Sequence, residues 1–184
     1  KLVMGSSVKV YVSKLEIGPK GPFIMLSRSH YGFVKRLLEI EIPELSDGTI
    51  MLYSVAREAG SRTKIAVYTE YNNVDPIGAV IGEKGRRIGA VLKELNGEKI
   101  DVVLYDKDPV KFIANALSPA KELKVTIKDE NKKEALALAN DKNLSLAIGR
   151  KGQNVKLASR LTHYKIEVKP LEAQPSTVEE SGDE

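Results

Sequence analysis

A nine-residue pattern occurs twice in this chain and constrains its fold more than any other feature. The first copy, at residues 80–88, reads VIGEKGRRI, and the second, at residues 147–155, reads AIGRKGQNV. Each copy has an apolar approach, a G-x-x-G loop with basic residues in it or directly after it, and a helix-like sequence beyond. The first glycines, Gly82 and Gly149, lie 67 residues apart. A repeat at such a period indicates one folding unit used twice.

The sequence beyond each loop extends the repeat. LNGEKIDV follows the first loop at residues 95–102, and LTHYKIEV follows the second at residues 161–168. The lysines in these segments, Lys99 and Lys165, lie 66 residues apart, which predicts that one residue is missing from the second helix. A third G-x-x-G segment, at residues 18–21, lies between strand-like runs at 8–12 and 22–26 and is interpreted as a hairpin turn.

The two copies have the same predicted order of elements. For the first copy the order is a helix at 31–40 ended by Pro43, strands at 49–56 and 64–69, a short helix capped by Asp75, the loop, a helix ending at Gly97, and a strand at 100–105. For the second copy it is a helix starting at Asp108-Pro109, strands at 123–127 and 135–139, a short helix at 144–148, the loop, a helix at 155–161, and a strand at 166–168.

This order, α-β-β-α-α-β with a G-x-x-G loop between two helices, is typical of KH domains, whose loop holds about four nucleotides of single-stranded RNA. Glycines allow a sugar-phosphate backbone to approach closely, and the loop is expected to direct N–H groups outward at the positive end of a helix dipole. The predicted RNA-binding residues are the loop glycines and the polar residues beside them: Gly82, Lys84, Gly85, Arg86, Arg87, Gly149, Arg150, Lys151, Gly152, Gln153 and Asn154.

Further residues are candidates for the same surface. Bases are expected to lie over an apolar groove formed by Val80, Ile81, Ile148 and either Ile100 or Ile166. Basic residues of the first hairpin, Arg57, Arg62 and Lys64, are candidates for extending the basic surface. The alternative for both loops is a helix-turn-helix corner whose glycines serve packing and whose charges are only solvated.

The charge distribution favours a polyanionic partner. The chain has a net charge of +4, but residues 171–184 contain five acidic residues and no Lys or Arg, so residues 1–170 carry +9. The polar, aperiodic segment at 171–184 is predicted to be a disordered acidic tail.

Other classes of protein and site find no support in the sequence. There is no cysteine, which excludes disulfides and thiolate metal sites and suits a reducing cytosol. No apolar run approaches the roughly 20 residues of a membrane span. Known nucleotide-binding and metalloprotease motifs are absent, and the two histidines, His30 and His163, have no motif partner. We therefore expect a cytoplasmic protein with no catalytic site, cofactor or metal, and the start at Lys1 suggests an excised fragment.

Several segments resemble the NusA family of bacterial transcription elongation and antitermination factors. They are residues 27–28 (SR), 41–44 (EIPE), 55–67 (VAREAGSRTKIAV), 74–79 (VDPIGA), 98–101 (EKID) and 145–155 (SLAIGRKGQNV). The resemblance implies an α+β fold of tandem type II KH domains preceded by the last strands of an OB-fold barrel. The implied boundaries are residues 1–28 for the barrel strands, 29–107 for a linker helix and the first KH domain, 108–170 for the second, and 171–184 for the tail.

The resemblance departs from the family at one position. His163 stands where the family usually has glycine. Because histidine tolerates a left-handed backbone better than most residues, we expect an altered helix end rather than a lost site.

The resemblance also implies a function. A monomer would bind nascent single-stranded RNA on the elongating RNA polymerase and so modulate pausing, termination and antitermination, with RNA polymerase and other Nus-type elongation factors as partners. The alternative is a protein-interaction module whose KH folds dock on these proteins with little RNA contact. A phosphorolytic ribonuclease also combines KH and OB units, but there the KH unit comes first, and no active site is recognisable here.

Overall fold

The structure is a computed structural model that describes residues 3–171. The chain divides into two compact units, one up to Asp106 and one from Lys107 onward. Except for Leu171, the predicted acidic tail lies outside the described residues.

The first unit contains two sheets and four helices within its described residues. Its elements are β1 (Tyr11–Gly18), β2 (Gly21–Ser27), α1 (Tyr31–Glu41), α2 (Pro43–Ser46), β3 (Met51–Glu58), β4 (Arg62–Tyr68), α3 (Pro76–Ile81), α4 (Arg86–Leu95) and β5 (Lys99–Leu104). β1 pairs only with β2, whereas β3, β4 and β5 form a sheet in which β4 is antiparallel to β3 and parallel to β5.

The second unit repeats the later part of this arrangement. Its elements are α5 (Pro109–Ala116), β6 (Lys124–Asp129), β7 (Glu134–Ala139), α6 (Asp141–Ile148), α7 (Gln153–Thr162) and β8 (Lys165–Pro170). The sheet has the order β6-β7-β8, again with one antiparallel and one parallel pair. Both β3 and β6 carry a bulge, but at different places: between Leu52 and Ser54 near the start of β3, and between Ile127 and Asp129 at the end of β6. The predicted order of elements is therefore confirmed in both copies.

Helix caps read from the sequence are confirmed. The Asp75 carboxylate accepts a hydrogen bond from the Ile77 N–H at 3.1 Å, and Asp108 accepts one from the Val110 N–H at 2.9 Å. In each case the next residue is a proline, which suits the first helical position because its missing N–H would have no helical partner. These caps fix where α3 and α5 begin.

The helices pack on the sheet through side chains at helical spacing. In the first unit Val34 and Leu38 of α1, Val91 of α4 and Val67 of β4 are all buried in one apolar core. Each such side chain contributes about 1.5–3 kcal/mol by leaving water. Because α4 is held in this way, the G-x-x-G loop at its start has a rigid support.

Several element ends differ from the expected ones by two or three residues, and three differences are informative. The first strand begins at Tyr11 rather than Val8, because Tyr11 pairs with Ser27, the last residue of β2, so earlier residues have no opposite position in that strand. Pro43 does not only follow the end of α1; it also starts the short helix α2.

The third difference concerns the missing residue of the repeat. The prediction that it is missing from the helix is wrong, since α4 and α7 both contain ten residues. The connection to the last strand is shorter instead: three residues separate α4 from β5, and two separate α7 from β8. A deletion inside a helix would rotate all later side chains by roughly 100°, whereas a turn can absorb it.

The ends of these two helices are otherwise alike. Asn96 after α4 has φ 50°, and His163 after α7 has φ 60°, both in the left-handed region. An altered helix end was expected at His163, but this residue adopts the same left-handed backbone as Asn96.

Candidate nucleic-acid interface

The two G-x-x-G loops have the same backbone conformation. The φ and ψ angles are 74° and 169° at Gly82 against 76° and 170° at Gly149, and 51° and 27° at Lys84 against 53° and 28° at Lys151. The second glycine of each loop, Gly85 or Gly152, is also left-handed, with φ values of 74° and 72°. Two sequences that differ inside and after the loop thus reach one geometry.

The first glycine of each loop is required by packing. A Cβ on Gly82 would lie 2.7 Å from Cγ of Arg87, and one on Gly149 would lie 2.7 Å from both Cβ and the backbone nitrogen of Asn154. Real Cβ atoms do not come so close, so a larger residue would push the two helices apart.

The second glycine faces open space. Nothing lies within 4 Å of a Cβ placed on Gly85, and the nearest atom to one on Gly152 is Cε of Lys156 at 3.8 Å. This is the side on which a phosphate could approach the backbone. Packing therefore explains the first glycine of each loop, whereas the second is explained by its left-handed backbone and leaves an open face beside it.

Several backbone N–H groups of the loops are used inside the protein. The Gly82 N–H donates to the Gly78 carbonyl at 2.8 Å and the Gly85 N–H donates to the Gly82 carbonyl at 3.0 Å. Gly149 and Gly152 make the matching bonds, to Ser145 and Gly149. These four glycine N–H groups do not point outward as expected, because the tight turn uses them. The exposed basic side chains of the loops are therefore a main source of attraction for anions.

Four predicted cations of the loops are exposed: Lys84, Arg86, Arg150 and Lys151. Among the residues that the structure describes, none of the four forms an ion pair. Gln153 is half-buried. These side chains stay candidates for RNA contact.

Arg87 and Asn154, which occupy the same position in the two copies, point back to the protein. Arg87 Nη1 donates to Glu44 Oε2 and to the Ala79 carbonyl, both at 2.8 Å. Asn154 is 2% exposed, and its Nδ2 donates to the carbonyls of Leu117 and Ala147, both at 3.0 Å. The expectation that the Asn154 side chain contacts RNA is wrong, because both of its donor hydrogens are used in the core. Arg87 is partly accessible, but Glu44 offsets its charge.

Fewer apolar side chains than expected reach the surface beside the loops. Val80 is fully buried and Ile166 is 8% exposed, so both belong to the core rather than to a surface for bases. Ile81 is 38% exposed, and Ile148 and Ile100 are half-buried. At the end of each short helix, the residue directly before the loop reaches the surface, whereas the residue before that one is buried.

The basic residues of the first hairpin do not extend the surface. Arg57 is paired with Glu98 at 2.8 Å, with side chains only 5% and 1% exposed. Asp101 binds both Arg62, at 2.7 Å, and the fully buried Lys64, at 2.9 Å. That expectation is wrong, because the acidic partners lie 37 to 41 residues away in the chain and only the fold brings them together.

These ion pairs set the protonation of the two carboxylates. Burial on its own would raise the pKa of Glu98, but hydrogen bonds from Arg57, Gly60 and Thr63 hold it below the ordinary value. Asp101 likewise has a pKa lowered by Arg62 and Lys64 against the effect of burial. Both groups are therefore ionised at neutral pH.

One cation beside the second loop was not found from the sequence. Lys156 lies one helical turn after Gly152, and its Cε is the atom closest to that glycine's open side. The spacing of four residues into a helix was the available signal, since such residues lie above one another. Its counterpart in the first copy is Gly89.

A cavity of about 730 Å³ adjoins the first loop. It is lined by Glu41, Gly78, Ala79, Gly82, Glu83, Arg86, Arg87 and Ala90. Both signs of charge line it, so it favours no simple anion.

Residues 3–171 contain no group of three His, Cys, Asp or Glu side chains placed as metal ligands would be. No helix there is both long and apolar enough to span a bilayer.

Comparison with known proteins gives two matches to family models. The NusA-like first KH domain matches residues 28–105, and the NusA-like second KH domain matches residues 109–175. Both lie on the predicted repeats and confirm tandem KH domains.

Similar whole proteins carry one name, transcription termination/antitermination protein NusA. The protein from Bacillus subtilis is 53% identical over 162 residues, which is 88% of this chain and 43% of that protein. The one from Halalkalibacterium halodurans is 52% identical over 162 residues, 88% of this chain and 42% of that protein. The one from Thermus thermophilus is 46% identical over 177 residues, 96% of this chain and 45% of that protein. The chain thus spans less than half the length of these relatives.

A solved structure shares the fold at low identity. The crystal structure of APE1850 is 22% identical, with a TM-score of 0.53 over 73% of this chain and 96% of that one.

Proposed function

This chain belongs to the NusA family, and from that premise we propose that it binds single-stranded RNA, the nascent transcript, through its two G-x-x-G loops. The observation that carries the proposal is the shared loop geometry with exposed cations on both copies. A pair of unrelated helix corners would have no reason to agree at three residues with positive φ.

The phosphate backbone is held mainly by charged side chains. Lys84 and Arg86 serve the first loop, and Arg150 and Lys151 serve the second. The open second glycine lets the strand come close enough for these side chains to reach it. Half-exposed Ile81 and Ile148, directly before each loop, offer apolar contact to bases.

Arg87, Asn154, Gly82 and Gly149 have a supporting part in this proposal. Arg87 and Asn154 fix the angle between the helices that flank each loop through hydrogen bonds of 2.8 and 3.0 Å. Gly82 and Gly149 allow these helices to approach because a Cβ at either position would clash. A loop held in advance loses less entropy when it binds its ligand.

The larger role follows from the relatives. We propose that RNA binding modulates pausing, termination and antitermination by RNA polymerase in the cytoplasm, with RNA polymerase and other Nus-type factors as partners and without catalysis by this chain. The β1–β2 hairpin fits the last strands of an OB-type barrel, because Leu15, Ile17 and Phe23 are 56–87% exposed and a two-stranded sheet alone is only marginally stable.

The proposal is tested by titrating single-stranded RNA and following fluorescence anisotropy at several salt concentrations. Four substitutions remove the loop charges: Lys84→Asn, Arg86→Gln, Arg150→Gln and Lys151→Asn. Asparagine is chosen for the two left-handed positions because it tolerates that backbone. The matched control removes four exposed cations elsewhere: Lys20→Gln, Lys35→Gln, Lys111→Gln and Lys124→Gln.

Four phosphate contacts predict that log affinity falls with log salt at a slope of about −3 for the native chain. The loop variant should lose most of its binding while its circular dichroism spectrum is unchanged, and the control should lose little. Equal binding by the folded loop variant and the native chain would favour the alternative, a module that docks on proteins.

A further inference from the structure

The second unit is far more basic than the first. Residues 107–171 contain fourteen Lys or Arg and seven Asp or Glu, a net charge of +7. Residues 1–106 contain fifteen and thirteen, a net charge of +2. Only two cations of the second unit, Arg150 and Lys151, lie in its loop, so the loop does not account for the excess.

On the sheet of the second unit, acidic neighbours offset part of this charge. Lys128 and Lys169 both approach Glu167, at 3.7 and 3.0 Å, and Lys165 approaches Glu134 at 3.2 Å. Positive charge on that side is therefore partly neutralised.

On helix α7 the charge is not offset. Lys156 and Arg160 are both exposed, and neither forms an ion pair with any residue that the structure describes. They are four residues apart and so lie on one side of the helix, while Leu157, Ala158 and Leu161 fill the core from the other. We call Lys156 and Arg160 the α7 stripe.

The α7 stripe is continuous with the second loop. The Lys156 side chain lies against the open side of Gly152, with Cε 3.8 Å from the position that a Cβ would take. Arg160 follows about 6 Å further along the helix axis. Arg150, Lys151, Lys156 and Arg160 thus form a row that begins at the loop and runs along α7.

The first unit lacks such a row. Gly89 stands at the position of Lys156, and nothing lies within 4 Å of its missing Cβ. Lys93 stands at the position of Arg160, but the gap at Gly89 separates it from the loop cations.

We infer that in the second unit the contact with the RNA backbone continues from the G-x-x-G loop along the α7 stripe, so that this unit holds a longer stretch of strand than the loop alone. The contact would be with phosphates and hence independent of base sequence. This inference rests on the proposed RNA binding. It adds the path that the strand follows along α7 and a longer stretch of bound RNA.

The test compares RNAs of two lengths on the full chain, about four nucleotides, the number that a KH loop holds, and about twelve. The first loop is silenced in every protein by Lys84→Asn and Arg86→Gln, so that binding reports on the second unit. The test variants carry Arg160→Gln alone or with Lys156→Gln. Lys111→Gln with Lys124→Gln removes the same charge elsewhere in the same unit and serves as the control.

For the longer RNA, the double stripe variant should bind on the order of tenfold more weakly at low salt, with a salt slope shallower by about 1.4. For the shorter RNA, Arg160→Gln should leave affinity within about twofold, since that strand ends at the loop. Equal losses at both lengths, or no loss beyond that of the control, would overturn the inference.

The two proposals fail in different ways. If Arg150→Gln with Lys151→Asn abolishes binding while the stripe variants bind normally, only the path along α7 is wrong. If those loop substitutions leave binding intact, the loops are not the RNA site and both proposals fall.

Discussion

The two KH domains share the backbone of their loops but differ in the charge that the loops make available. By sequence the first loop is the more basic, with three cations against two. In the structure Glu44 offsets Arg87, and the exposed Glu83 lies inside the first loop, whereas Arg150 occupies the matching position in the second. The second loop is therefore the more positive. The number of basic residues in a loop sequence therefore does not give the net charge that a ligand encounters at the folded loop.

The domains also differ in how their interiors are held. The first has buried or half-buried ion pairs, Arg57 with Glu98 and Asp101 with Arg62 and Lys64. In the second, Tyr164 and Glu167 stand at the positions of Glu98 and Asp101, and Glu167 is exposed beside Lys169. Fold stability in the first domain thus depends on ionised groups more than in the second.

Removal of Glu98 should produce the largest difference between the domains. Glu98→Ala leaves the Arg57 guanidinium buried without its partner and should cost about 3–5 kcal/mol of unfolding free energy. Glu167→Ala in the second domain should leave stability unchanged within error, because water replaces the lost partner. Chemical denaturation followed by domain-resolved hydrogen exchange measures both; equal losses would show that the ion pair has no special weight.

The residues behind the loops give the next contrast. Asn154→Ala removes the side-chain hydrogen bonds to the buried carbonyls of Leu117 and Ala147, of which Leu117 keeps the Ala120 N–H at 3.1 Å, and should cost roughly 2 kcal/mol. Arg87→Ala should cost about 1 kcal/mol or less, because a third of that side chain is exposed and water can reach its partners. Thermal unfolding of the two single variants measures this difference. A larger loss of stability for Arg87→Ala than for Asn154→Ala would contradict it.

Acid should unfold the first domain before the second. Glu98 and Asp101 have a pKa below the ordinary value in the folded state, so their stabilisation is present above the unfolded-state pKa of about 4 and is lost as pH falls through the lower folded values. Amide exchange measured between pH 6 and about 3 should show loss of protection in the first domain first. Simultaneous loss, or earlier loss in the second domain, speaks against this.

The smallest effect is expected at position 83, where the first loop can be made to match the second. Glu83→Arg should raise RNA affinity a few-fold at low salt and steepen the salt slope by about 0.7, the value for one added phosphate contact. Glu83→Gln separates loss of the negative charge from gain of the positive one and should give a smaller rise. Anisotropy titrations in which Glu83→Arg is neutral would indicate that RNA does not pass over this residue.

Much of the fold was predictable from local patterns. The Asp-Pro caps at residues 75–76 and 108–109, the helical spacing in α1 and the G-x-x-G repeat act over a few residues, and each was confirmed.

What the sequence could not supply depends on distant contacts. Arg87 finds Glu44 across 43 residues, Asn154 finds Leu117 across 37, and Lys64 finds Asp101 across 37. Each of these polar residues looked like a ligand for RNA until the fold supplied a partner. Lys156 is a different case, because it lies outside the motif and its spacing of four residues from Gly152 was the only local signal that brings it to the loop.

The left-handed lysines, Lys84 and Lys151, have a consequence for how this protein tolerates change. A non-glycine residue with φ near 50° costs on the order of 1 kcal/mol relative to glycine. Replacing both by glycine would therefore raise the melting temperature while removing two cations from the loops. Thermostability and RNA affinity are opposed at the same two positions, so selection for heat resistance alone would erode the interface without disturbing the fold.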